Sequence, residues 1–159
     1  MAARRNSRAG TLRAAVVSGS LASLTSAAAL ALAGGRELGD AATPLNGPSQ
    51  WIWGRHAPYR DGFSLRHTVV GYGIHHLSAI FWAALFERAR PRRHHVVPAA
   101  IATASVACFV DYCCTPERFT PGFEKRLSHR ALFMTYAAFA AGLAASRLIG
   151  RREKESRRG

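Results

Sequence analysis

Apolar and polar residues are segregated along this chain in long blocks, not interleaved at short period. Uncharged apolar sequence runs from Ala14 to Ala33 and again from Thr68 to Phe86. A third block, Val96 to Cys114, is broken only by Asp111, and a fourth, Ala131 to Ile149, carries Arg147 in its last turn. Each block has about the twenty residues that a helix needs to cross a bilayer core. A soluble helix would mix the two residue types at a period of about 3.6. The pattern therefore predicts an all-α, polytopic membrane protein: a four-transmembrane-helix bundle with helices near 14–33, 68–86, 96–114 and 131–149. A basic amino-terminal segment, 1–13, precedes this membrane domain and a basic tail, 150–159, follows it.

The first block is rich in small residues. Ser18, Ala22 and Ser26 follow one another at i+4, as do Gly19, Ser23 and Ala27. Such faces let membrane helices approach closely, so either is expected to pack. A cleaved signal peptide is the competing reading, because a basic segment precedes the block and Ala31-Leu32-Ala33 has the small residues of a cleavage site. The apolar stretch exceeds the roughly 7–15 residues usual for a signal-peptide core.

The connections differ in character. Gly34 to His67 forms a long loop full of breakers, and its Trp51, Trp53, Tyr59 and Phe63 stand among charges. That composition predicts an interfacial aromatic belt, with Ser49 to Trp53 as a short helix on the membrane surface; a ligand lid is the alternative. Arg88 to Arg93 is a tight turn broken by Pro91. In the second long loop, Thr120 before Pro121 predicts a helix start. Phe123 and Leu127 then share a face, predicting an amphipathic lead-in over Pro121 to Arg130.

Charge changes the picture by giving the bundle a direction. The chain has 22 Lys and Arg against 9 acids, a net charge of +13. Nucleic-acid binding is one use of such an excess, but the basic runs flank the apolar blocks. Of the 22, 14 lie at the two ends, the Arg88–Arg93 turn and the adjoining borders, and five acids offset much of the remainder in the long loops. The positive-inside rule then puts both termini and the short turn in the cytoplasm, and both long loops outside. The expected partners are the lipid bilayer and either further copies of the chain or other membrane proteins, not nucleic acid.

Few residues at membrane depth carry chemistry. His75 and His76 lie roughly 12 Å inside the second helix at 1.5 Å per residue, and Asp111 roughly 5 Å inside the third. Ionisable groups at such depth are rare and usually have partners. Adjacent histidines diverge by about 100° on a helix, so one of them, His75 on the stripe with Ser78, is expected to meet Asp111. Tyr72 would complete the cluster; Arg118 and Tyr112 are further possible partners for Asp111. The cluster admits two roles, specifying helix packing or handling protons. His56, His67, His129, Cys113 and Cys114 add metal-ligating types on the same half, yet no CxxC, HExxH or ExxH spacing occurs. No cofactor, metal site or catalytic residue is expected. Cys108, Cys113 and Cys114 make no disulfide framework.

The runs NGPSQWIWG, SLRHTVVGYGIHHLSAIFWAALFE, VDY and PERFTPGFEKRLS resemble a group of small bacterial inner-membrane proteins with four transmembrane helices and no established activity. The resemblance covers most of the chain after the first helix. It implies an inner-membrane location and lends no catalytic residue. A structural or interaction role in the cell envelope is the leading expectation. A small oligomeric transporter or proton-coupled carrier is second, and a metal-dependent or redox membrane enzyme third.

Overall fold

The computed structural model describes residues 2–89 and 91–156, with side chains over 10–150 apart from 90 and 93. The side chains of Arg4, Arg5 and Arg8, those of the basic tail, and those of Arg90 and Arg93 lie outside the described residues. The fold is an all-α bundle with no strand among the described residues. Four helices are long and apolar enough to cross a membrane: Gly10–Glu37, Leu65–Ala89, Val96–Cys114 and His129–Gly150. We call the helices that form them α1 (Ala2–Glu37), α2 (Val70–Ala89), α3 (Val96–Phe109) and α4 (His129–Ser156). A π-helical turn, Leu65–Val69, leads into α2, and another, Val110–Cys114, extends α3.

The helices overrun the apolar blocks because charge does not end a helix. Breakers and caps do. α1 continues through Arg36 to Glu37 and stops where Gly39 takes a φ of 73°. α4 begins at His129, later than the expected start at Pro121. Thr120 is extended, with ψ of 163°, and Gly122 takes a left-handed φ of 84°, so the backbone cannot enter a helix there. Only a single 3₁₀ turn, Phe123–Lys125, forms over the expected amphipathic lead-in. Ser128 supplies the cap instead. Its Oγ accepts from the Ala131 amide at 3.2 Å, and its own amide and hydroxyl donate to the Glu37 carboxylate at 2.8 and 2.7 Å.

α1 lies between α2 and α4. It packs most extensively against α4 and α2, and α3 lies mainly on α4. The short turn between α2 and α3 therefore does not make them the closest pair. Both small-residue faces of α1 are consumed: Ser18, Ala22, Ser23 and Ser26 are all buried. A Cβ added at Gly19 would lie 2.6 Å from Ile80 Cα on α2. One added at Gly142 on α4 would lie 2.5 Å from Ala22 Cα. Small side chains are thus what permits a helix to sit between two others at backbone distance. Thr25 adds a hydrogen bond across to the Ala138 carbonyl at 2.8 Å. Cleavage after Ala33 would remove the helix on which two others pack.

The outer surface of the four spans is apolar. Leu77 and Phe133 are 68% and 71% exposed, with Leu24, Phe81 and Ile101 also largely open. This arrangement suits hydrocarbon as the surrounding solvent. The core between the spans is built from Ala79, Ala83 and Phe86, Val96 and Ala100, and Phe139 and Leu143.

The two long loops fold together across one end of the bundle. Asn46 is fully buried; its Nδ2 donates to the Arg60 and Gly62 carbonyls at 2.8 and 3.0 Å, and its Oδ1 accepts from Thr68 at 2.6 Å. Gln50, also fully buried, donates to the Thr120 carbonyl at 2.7 Å and accepts from Lys125 at 3.2 Å. Gly47 and Gly122 touch backbone to backbone, where a Cβ on Gly122 would meet the Gly47 carbonyl oxygen at 2.6 Å. The expected surface helix is two short pieces, Gly47–Ser49 and Gln50–Trp53, whose polar side chains turn inward. Trp51 and Trp53 are 37% and 40% exposed, their indole N–H groups donating to the Thr120 and Arg66 carbonyls respectively. They serve the loop fold as well as any interface.

Candidate functional site: a cavity under the two loops

Beneath this double loop lies a cavity of about 70 Å³. All four spans and both loops contribute to its wall. Ser26 comes from α1, His75, Ser78 and Trp82 from α2, and Asp111 from the π-helical end of the third span. Thr135, Tyr136 and Phe139 come from α4, and Trp51, Phe119 and Phe123 from the loops. The space is large enough for several waters or one small molecule.

Local structure aims each polar group. The π-helical turn Val110–Cys114 widens the end of the third span around Asp111, a device often found at functional positions. Asp111 Oδ2 accepts the Tyr136 hydroxyl at 2.6 Å, a short charge-assisted bond. Tyr112 stacks edge-on against Tyr136 at 6.1 Å between centroids. His75 Nε2 lies 2.9 Å from Ser26 Oγ. Ser26 Oγ also lies 2.8 Å from the Ala22 carbonyl, to which it donates. With that proton committed, the imidazole N–H is the donor to Ser26.

The four residues singled out from the sequence fall into two groups. His75 and Asp111 line the same cavity, each held by a neighbour on another helix, Ser26 and Tyr136. His76 and Tyr72 form a separate pair, with ring centroids 5.7 Å apart, and His76 Nε2 lies 3.4 Å from Ser20 Oγ on α1. Tyr72 therefore accompanies His76, not the Asp111 network. Arg118 is exposed and makes no ion pair with Asp111. The roughly 100° between adjacent helical side chains separates the two groups. The sequence signal for Tyr136 and Ser26 was present but undirected: each is a hydroxyl inside an apolar block, and nothing in the pattern says which face meets Asp111 or His75.

A second polar pair stands at the opposite end. Glu87, 4% exposed at the end of α2, binds Arg147 of α4 in a charge-assisted hydrogen bond. Arg147 thus turns toward the bundle, and Glu87 joins Asp111 as a carboxylate within it. Among the described residues, no three His, Cys, Asp or Glu side chains converge as a metal-binding group. Comparison with family models, with curated proteins and with solved structures returned no match.

Proposed function

We propose that this multi-pass membrane protein lies in a bacterial inner membrane with both ends in the cytoplasm, keeps its first helix, and binds a small molecule in the cavity under its two loops as a small carrier. The observation that supports the binding role is the cavity itself. It is open space beneath the two loops, walled by every span and both loops, with an imidazole and a carboxylate on its lining. A bundle selected only for packing would be expected to fill such a space, since a void forfeits dispersion contacts on its lining. A purely structural or interaction role, with the chain docking on other membrane proteins or on copies of itself, is the second reading. It draws on the polar groups that pair within the bundle, such as Glu87 with Arg147.

Binding has a built-in reporter. Of the three tryptophans, Trp51 and Trp82 line the cavity. With Trp53→Phe as background, a screen of small amines, acids and alcohols against protein in lipid nanodiscs should find compounds that shift emission saturably. Flux of a hit into protein-containing vesicles would then establish carriage. No saturable shift with any class would leave the structural reading. Orientation is tested separately: alkaline phosphatase fused after residue 50 or 119 should be active, and fused after residue 92 or at the end, inactive. The reverse pattern would invert the proposed topology.

A further inference from the structure

Resting on the reading of the cavity as a small-molecule site, we infer that its ligand is a small organic cation, a protonated amine or a quaternary ammonium. The wall is aromatic on several sides, with Trp51, Trp82, Phe119, Phe123, Tyr136 and Phe139 around one space. Ring faces attract cations, by about 0.5–1 kcal/mol each when exposed and about 2 when desolvated, and aromatic cages are a recurrent means of holding ammonium groups. Among the described residues, no Lys or Arg lines the cavity. Asp111 does, and its one hydrogen bond among the described residues is the Tyr136 hydroxyl, not a cation.

A second acid reinforces the sign. Glu124 lies close enough to Asp111 to sense its charge. Its Oε1 accepts from Thr120 at 2.6 Å, while its Oε2 is buried without a hydrogen-bond partner. In a chain with a net charge of +13, Asp61, Glu87 and Glu117 each hold a basic side chain. Asp111 and Glu124 hold none among the described residues. A buried carboxylate with no countercharge is costly, and a bound cation would offset that cost.

The same lining excludes other ligands. An anion would find no basic side chain among the described lining residues and would meet the Asp111 carboxylate. A bare metal ion would lose its hydration shell to aromatic carbon, and among the described residues no group of three ligating side chains stands ready to replace it. A cation carrying its charge on methyl groups or N–H donors matches both the carboxylate and the rings. On the loop side of the wall, Trp51 and Phe119 meet edge to face at 5.8 Å between centroids.

The test uses the full chain in nanodiscs, in the Trp53→Phe background, with three probes: tetramethylammonium chloride, methylammonium chloride and tert-butanol. Sodium chloride at matched ionic strength is the blank. At least one ammonium probe should change emission saturably, sodium should not, and tert-butanol should bind at least tenfold more weakly. Asp111→Asn should weaken ammonium binding at least tenfold with an unchanged melting temperature. If that variant fails to fold, Glu124→Gln and Trp82→Leu carry the test, each with a several-fold loss. Equal binding of tert-butanol and tetramethylammonium would overturn the cation assignment while leaving a small-molecule site. Ammonium binding untouched by all folded variants would place it elsewhere and overturn the assignment too. Silence toward every probe and toward the wider screen would remove the site itself.

Discussion

Gly19 offers the sharpest test of how the bundle is held together. Its α-carbon faces α2 so closely that an alanine Cβ would sit 2.6 Å from Ile80 Cα and 3.0 Å from Ile80 Cγ1. The nearest atom is backbone, so no rotamer change relieves the clash, and the two helices must separate by most of an ångström. Overpacking of this kind costs about 1–3 kcal/mol. Against it stands the helix propensity of alanine over glycine, worth up to about 1 kcal/mol when the unfolded chain is a coil. In detergent the denatured state keeps much of its helix, which shrinks that gain. The expected net loss for Gly19→Ala is thus about 1–2 kcal/mol, and more for Gly19→Leu. Separation would also lengthen the nearby Ser26–His75 contact. Gly73 is the control. It lies in α2, and a Cβ there would meet nothing within 4 Å. Gly73→Ala should be neutral or slightly stabilising by a few tenths of a kcal/mol. Reversible unfolding in mixed micelles with rising SDS, followed by circular dichroism, compares the two. Equal stability of Gly19→Ala and Gly73→Ala would refute the backbone-distance packing of α1 on α2.

Two further predictions concern charge. Removing one member of the Glu87–Arg147 pair strands a charge in a bundle where Glu87 is 4% exposed. Breaking such a pair costs about 3–5 kcal/mol in a full interior, and less here because Arg147 is partly open. Arg147→Gln should therefore lower stability in the same SDS titration by about 2 kcal/mol or more, and adding Glu87→Gln should recover part of the loss. No recovery in the double variant would count against the pair. Asp40 sits outside the spans, where its Oδ1 accepts from the Thr43 hydroxyl and amide and from the Ala42 amide. These bonds, led by the Thr43 side chain, hold its carboxyl below the ordinary range. A lowered folded value means the stabilisation is present above the ordinary carboxylate range and is lost as pH falls through the folded value. Asp40→Asn should flatten the acid side of the stability profile, and an unchanged acid limb would contradict the assignment.

The sequence by itself determined the number of span-length apolar helices and the helical class, because hydrocarbon leaves a chain few options. A backbone in lipid must satisfy its own hydrogen bonds, so about twenty uncharged residues become a helix whatever their order. The same insensitivity hid the rest. Helix ends are not written in the apolar pattern: α1 runs through charge to Glu37, and α4 starts where Ser128 caps it, not at the Thr120-Pro121 signal. Membrane helices carry weak amphipathic signal, because lipid and protein interior are both apolar; nothing in the order of residues showed that α1, not α3, would be the main neighbour of α2. That placement brought Ser26 to His75 and Ser20 to His76. It also left Asp111 to a tyrosine on α4, twenty-five residues on in the chain. The cavity is a property of the tertiary structure alone: its wall joins residues from Ser26 to Phe139, and only the packing of four helices and two loops decides which side chains face one space.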